Sequence, residues 1–170
     1  MMRHDLVEAL ISLGSNIDRN VNMPAAIHVM NDRDDMAVIA VSDFFETPAI
    51  DNYGLQSQQE AFLNAAVLIE TALPVAELRS VLRDIESRLG RIRTADTFAA
   101  RPIDLDIAFY SDVVLNLEGS GIPDPDILCF PHVAVPLANV TPDWVHPQTG
   151  ETLCQIAERL DDTEMEKVVL

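Results

Sequence analysis

The chain has 170 residues, 48% of them hydrophobic, and carries 11 Lys and Arg against 28 Asp and Glu for a formal net charge of −17. This length and composition fit one domain over residues 1–170 with a proper core, and exclude global disorder. The acidic field repels nucleic acid, and no apolar run approaches the roughly 20 residues of a membrane span, so neither partner is expected.

Near the N-terminus, Asp5 and Glu8 stand where a secretory leader would be apolar or basic, so no leader is expected. Glu8–Leu13 reads as a strand ended by a turn at Gly14-Ser15-Asn16. A short helix is expected from about Met23 or Pro24 to Met30, because proline fits a first helical turn. Met36–Glu46 reads as a second strand, stopped by Thr47-Pro48. Residues 48–60 are polar and aperiodic, a long surface loop of the kind that often carries function. In the strand Ala61–Glu70, Leu63, Ala65, Val67 and Ile69 form a clean core face. Phe62 and Asn64 share the other face, which suits the wall of a site.

Pro74 opens a helix whose Leu78, Val81, Leu82, Ile85 and Leu89 make one apolar stripe, with Gly90 placed as its cap. The next strand alternates Ile103, Leu105 and Ile107 with Asp104, Asp106 and Ala108. The order strand–helix–strand–strand–helix–strand defines an α+β, ferredoxin-like β-α-β-β-α-β core, an antiparallel sheet with helices on one face. The C-terminal part adds Pro-rich turns, a short apolar segment over Val133–Leu137 and a last helix near Thr152–Leu160. Cys129 and Cys154 lack C-x-x-C spacing, and reduced thiols in a cytoplasmic protein are expected.

Two features carry chemistry. Asp104 and Asp106 lie two apart on a strand, hence on one face with about 6.5–7 Å between them. That spacing suits oxygen coordination of one or two hard cations such as Mg²⁺, with substrate phosphates completing the shell; the alternative is a solvated sheet face. Arg79, Arg83, Arg88, Arg91, Arg93 and Arg101 also put six of the 11 cations within 23 residues, whereas Pro102–Glu158 holds none. Such an island could dock a small polyanion. The first three could instead pair with Glu77, Asp84 and Glu86 on a wet helix face. Carboxylates for metal beside a cationic loop are what phosphoryl transfer requires. No G-x-x-x-x-G-K-[ST] loop is present, so a nucleotide would not be held in a P-loop. A two-metal nuclease fits poorly with the charge.

The ordered segments ISLGSN (11–16), FFETPAI (44–50), FLNAAVLIET (62–71), IESRLGRIR (85–93), RPIDLDI (101–107) and VPLANVTPDWVHP (135–147) resemble 6-hydroxymethyl-7,8-dihydropterin pyrophosphokinase of folate biosynthesis. The resemblance covers roughly residues 8–158. It implies the same fold and Mg²⁺-dependent transfer of the β,γ-diphosphate of ATP to the pterin hydroxymethyl group, releasing AMP. By the resemblance, Asp104 and Asp106 hold two Mg²⁺ ions. Arg91 and Arg101 contact phosphates, Arg93 lies on a mobile catalytic loop, and Glu86 and Ile107 belong to the ATP site. Phe62 and Asn64 stack on and hydrogen-bond the pterin, with Gly14, Thr47, Pro48 and Ile50 in the same pocket and His132 as a second stacking ring. The implied partners are these two small molecules, with a monomer or weak dimer expected.

The chain departs from that family at several positions. Ala99-Ala100 replace Gly-Pro, Phe98 replaces Trp, and a loop Arg is missing at about Thr97. Asp124 and Phe130 stand where a His and an Arg are usual, and the 48–61 loop is longer. These changes imply a divergent enzyme with weaker ATP affinity or slower turnover. The alternative is a non-catalytic pterin- or nucleotide-binding paralogue.

Overall fold

The most apolar stretches of the chain become the two central strands of one antiparallel sheet. A computed structural model describes residues 5–117 and 120–170; residues 1–4 of the stretch read for a leader lie outside that range. Strand β1 (Val7–Ser15) pairs on one side with β4 (Phe62–Thr71) and on the other with β5 (Asp104–Tyr110). Beyond β4 lie β2 (Met36–Val41) and β3 (Phe44–Thr47), and β8 (Glu166–Val168) pairs with β3. The order β5-β1-β4-β3-β8, all antiparallel, is the ferredoxin-like arrangement with β2 and β3 sharing one position.

Helices α1 (Arg19–Asn31) and α2 (Val75–Arg88) cover one face. Ile11, Leu13, Met23, Met30, Leu82 and Ile85 meet there, all essentially inaccessible to water. Burial of each such side chain contributes about 1.5–3 kcal/mol. Helices α3 (Pro131–Val140) and α4 (Leu153–Glu158) close the opposite face over Leu10, Ala66, Leu68 and Phe109. Helices therefore lie on both faces, not one, which is why β1 and β4 are apolar on both sides. Between β5 and α3 the chain makes β6 (Leu115–Leu117), β7 (Ser120–Ile122) and a 3-10 turn over Pro125–Leu128.

Several expected boundaries move. Gly14 and Ser15 belong to β1, not to a turn, because they pair with Asn64 and Leu63. Helix α1 starts at Arg19, ahead of Pro24. Pro24 and Asn20 are both exposed, so the carbonyl left without an intrahelical donor faces water. The single strand expected over Met36–Glu46 is two, broken at Ser42-Asp43. Ser42 Oγ accepts the Ala66 N–H at 2.8 Å, and Asp43 turns out to Asn139. The end of α2 is as expected: Gly90 takes φ +94°, a conformation open to glycine and costly for other residues. Cys129 and Cys154 are free thiols. Among the described residues no helix is long and apolar enough to cross a membrane.

Candidate active site

Asp104 sits opposite Gly14 and Asp106 opposite Ser12, so strand register brings both carboxylates to the same end of the sheet. They open into a cavity of about 590 Å³. All seven residues expected to touch a pterin line it: Gly14, Thr47, Pro48, Ile50, Phe62, Asn64 and His132. Asn64 Nδ2 donates to Thr47 Oγ1 at 2.8 Å and to the Phe45 carbonyl at 3.3 Å. Both amide protons are thereby used, and Oδ1 remains an acceptor on the cavity wall. Gly14 leaves that acceptor and Phe62 uncovered: a Cβ there would stand 3.8 Å from Asn64 Oδ1 and 3.9 Å from the Phe62 ring. His132 packs against Phe130 with ring centroids 5.3 Å apart, and burial lowers its pKa, favouring the neutral imidazole.

Behind the carboxylates stands Glu86, 1% exposed on α2. It accepts the Leu105 N–H at 2.8 Å, Arg91 Nη1 at 3.0 Å and Arg93 Nη2 at 2.7 Å. Burial pushes its carboxyl pKa up, while the Leu105 N–H and the two guanidinium groups pull it back. Arg91 also donates to the Ile103 carbonyl and to Asp104 Oδ1. Arg101 donates to Asp104 Oδ2 at 3.0 Å and lies 5.6 Å over the Phe62 ring. Asp104 is thus neutralised by two arginines. The Asp106 side chain has no hydrogen-bond partner among the described residues. It is exposed, on the wall of the cleft. Desolvation by the protein packed around the cleft, with the charges of Asp104, Asp124 and Glu86 against that of Arg91, pushes its pKa up to about 7. Asp124 is held by its N–H to the Ala108 carbonyl, and burial with Asp126 and Asp104 raises its pKa to about 6.

A second cavity of about 330 Å³ lies at the open edge of β5, lined by Arg79, Arg83, Arg93, Ile107, Asp106 and Asp124 among others. Asp106 and Asp124 also line the first cavity, so the two spaces meet there. Glu86 and Arg91 line neither; Glu86 holds Arg91, which in turn holds Asp104.

Asn16 carries a structural role that its motif does not disclose. It is 3% exposed, and its Oδ1 accepts the Arg101 N–H at 2.8 Å. Its Nδ2 donates to Gln59 Oε1 and the Glu60 carbonyl, so one amide ties β1 to both loops that frame the cleft. Asp161, Thr163, Glu164 and Met165 also reach the first cavity, carried there by the pairing of β8 with β3. No motif in the tail signals this.

The oxygen-only donors fit a hard divalent cation. Among the described residues no group of three or more His, Cys, Asp or Glu converges on a metal-sized space, so a closed zinc-type cage is not formed.

A sheet with acidic and cationic groups gathered at one end, between an aromatic-walled cavity and a polar one, defines a class of small-molecule group-transfer site. Residues 10–142 match the family model described as 7,8-dihydro-6-hydroxymethylpterin-pyrophosphokinase. A 2-amino-4-hydroxy-6-hydroxymethyldihydropteridine pyrophosphokinase of Methylorubrum extorquens is 33% identical over 164 residues, 96% of this chain and 99% of that protein. The enzyme of the same name from Synechocystis is 39% identical over 105 residues, 62% of this chain and 53% of its own length. A Pneumocystis carinii folic acid synthesis protein, fol1, is 33% identical over 160 residues, 94% of this chain; the chain spans only 21% of that protein. A Plasmodium falciparum HPPK-DHPS crystal structure superposes with a TM-score of 0.75 at 12% identity, over 98% of this chain and 47% of that one, and shares the fold. The chain belongs to the 7,8-dihydro-6-hydroxymethylpterin-pyrophosphokinase family.

Proposed function

We propose that the protein transfers the β,γ-diphosphate of ATP to the hydroxymethyl group of 6-hydroxymethyl-7,8-dihydropterin, releasing AMP, in a Mg²⁺-dependent step of folate biosynthesis. The observation that carries this reading is the place of Asp106 on the wall of both cavities. A pterin in the first and a nucleotide in the second would meet over it. Family membership and the matching names of the Methylorubrum and Synechocystis relatives support the same reading.

In this reading the hydroxymethyl oxygen bonds to the β-phosphorus and loses its proton, while the oxygen bridging α and β leaves with AMP. Little covalent work falls to the protein, and positioning with charge stabilisation carries the rate. Asp104 and Asp106 would hold two Mg²⁺ ions, whose charge would offset that of the phosphates. Arg101 and Arg93 reach the phosphates. Arg91 and Glu86 act as positioning residues for Asp104, and Ile107 offers apolar contact to the nucleotide. Phe62 and His132 present rings to the flat pterin, Asn64 Oδ1 accepts a ring N–H, and Thr47 fixes that amide. Pro48, Ile50 and Gly14 complete the slot.

Incubation with ATP, Mg²⁺ and the pterin tests the reading. AMP formed in step with pterin diphosphate is expected. Pterin binding without AMP would instead support a non-catalytic paralogue.

A further inference from the structure

Arg79 and Arg83 are one helical turn apart on α2, in a protein with 28 acidic residues and 11 Lys and Arg. Neither makes an ion pair among the described residues. The acidic groups near them in sequence are turned elsewhere. Glu77 lines a separate cavity with Asp34 and Asp35, the charge of Asp84 acts on Arg33, and Glu86 points inward to Arg91 and Arg93. The helix-surface pairing that was the alternative for these two arginines does not form among the described residues.

Both arginines instead line the second cavity with Arg93. Its wall is divided by charge: the cations come from α2 and the loop after it, the carboxylates Asp106, Asp124 and Asp126 from β5 and the segment behind β7. An anion carrying its own divalent cation matches both halves, phosphate oxygens to the guanidinium groups and the cation to the carboxylates.

We propose that Arg79 and Arg83 form an anion-binding arm that grips the phosphate chain of the nucleotide and seats it with its divalent cation against Asp106. The inference rests on the proposed nucleotide co-substrate, and it adds a cationic wall supplied by the helix rather than by the loop arginines. Two guanidinium groups that make no ion pair among the described residues need none broken there before they take up phosphate. The arm also raises phosphate concentration at the mouth of an otherwise repulsive molecule.

Calorimetry with Mg²⁺ and α,β-methylene-ATP, and separately with Mg²⁺ and inorganic triphosphate, tests the arm in the full chain. The Arg79→Ala/Arg83→Ala variant should bind both ligands at least about tenfold more weakly, as expected for lost charge-assisted hydrogen bonds. Its affinity should also fall less steeply with NaCl than that of the parent. Arg83 is exposed and Arg79 half-buried, so an unchanged thermal midpoint should confirm an intact fold. Unchanged affinity for both ligands would overturn the arm. Loss confined to the methylene-ATP would place the arginines on base or ribose and equally overturn it. Loss of affinity for both ligands, in a protein whose parent forms no AMP, would keep the arm and overturn only the reaction.

Discussion

Arg101 donates to Asp104 at 3.0 Å while its guanidinium covers the Phe62 ring at 5.6 Å. One side chain therefore joins a carboxylate proposed to hold metal to the aromatic wall proposed to hold the pterin. Its backbone is fixed by Asn16, and a further guanidinium nitrogen reaches the Thr97 carbonyl. Arg101→Ala removes a charge-assisted bond usually worth about 1.5–3 kcal/mol. kcat/KM should fall between about tenfold and about 150-fold. Arg101→Lys should recover only part of this, since an ammonium lacks the planar fork. Steady-state kinetics on both variants checks the claim.

Asp106 titrates near neutrality, and the sign of its effect is fixed. Its folded pKa of about 7 lies above the ordinary carboxylate value, so ionisation costs the fold stability. That cost is absent below the unfolded pKa, grows as pH rises toward 7, and is full above it. Asp106→Asn should raise the thermal midpoint more at pH 8 than at pH 5, and calorimetric melts at both values measure it. Cation binding requires the ionised form, so Mg²⁺ affinity in the presence of α,β-methylene-ATP should fall about tenfold from pH 8 to pH 6. The asparagine variant should lose that dependence along with activity.

Glu86 organises the site from behind. It holds Arg91, Arg93 and the Leu105 N–H while almost fully excluded from water. Glu86→Ala leaves the buried Leu105 N–H without its acceptor and takes one carboxylate from Arg91, which keeps Asp104 and the Ile103 carbonyl, and should cost about 1–3 kcal/mol. Urea denaturation reads the loss as a lower midpoint.

Asn64 is held by Thr47 so that its carbonyl oxygen stays open to the cavity. Asn64→Ala should weaken pterin binding about tenfold, the loss expected when a ring N–H in a pocket goes unpaired. Fluorescence titration with the pterin checks this, and binding of Mg²⁺ with α,β-methylene-ATP should be unaffected.

Strand parity made much of this legible in the sequence. A period of two places Asp104 with Asp106 and Phe62 with Asn64, and both pairs face the cleft. The apolar stripe of α2 and its Gly90 cap read equally well, because their signals are local. What the sequence hid depends on distant partners. Ser42 breaks a strand by taking the Ala66 N–H with its hydroxyl, and β8 finds β3 from more than 100 residues away. Helical spacing left Arg79 and Arg83 open to pairing with Glu77, Asp84 or Glu86, yet Glu77 lines a separate cavity and Glu86 turns inward to Arg91 and Arg93. Asn16 looked like part of a turn, whereas it pins Arg101 and the loop carrying Gln59 and Glu60.

The central claim is that two substrates occupy separate cavities and meet over Asp106. Titrating 6-hydroxymethyl-7,8-dihydropterin into protein saturated with Mg²⁺ and α,β-methylene-ATP tests it most directly. One pterin should bind per chain with the nucleotide retained. Displacement of the nucleotide by the pterin would place both ligands in one cavity and contradict the account.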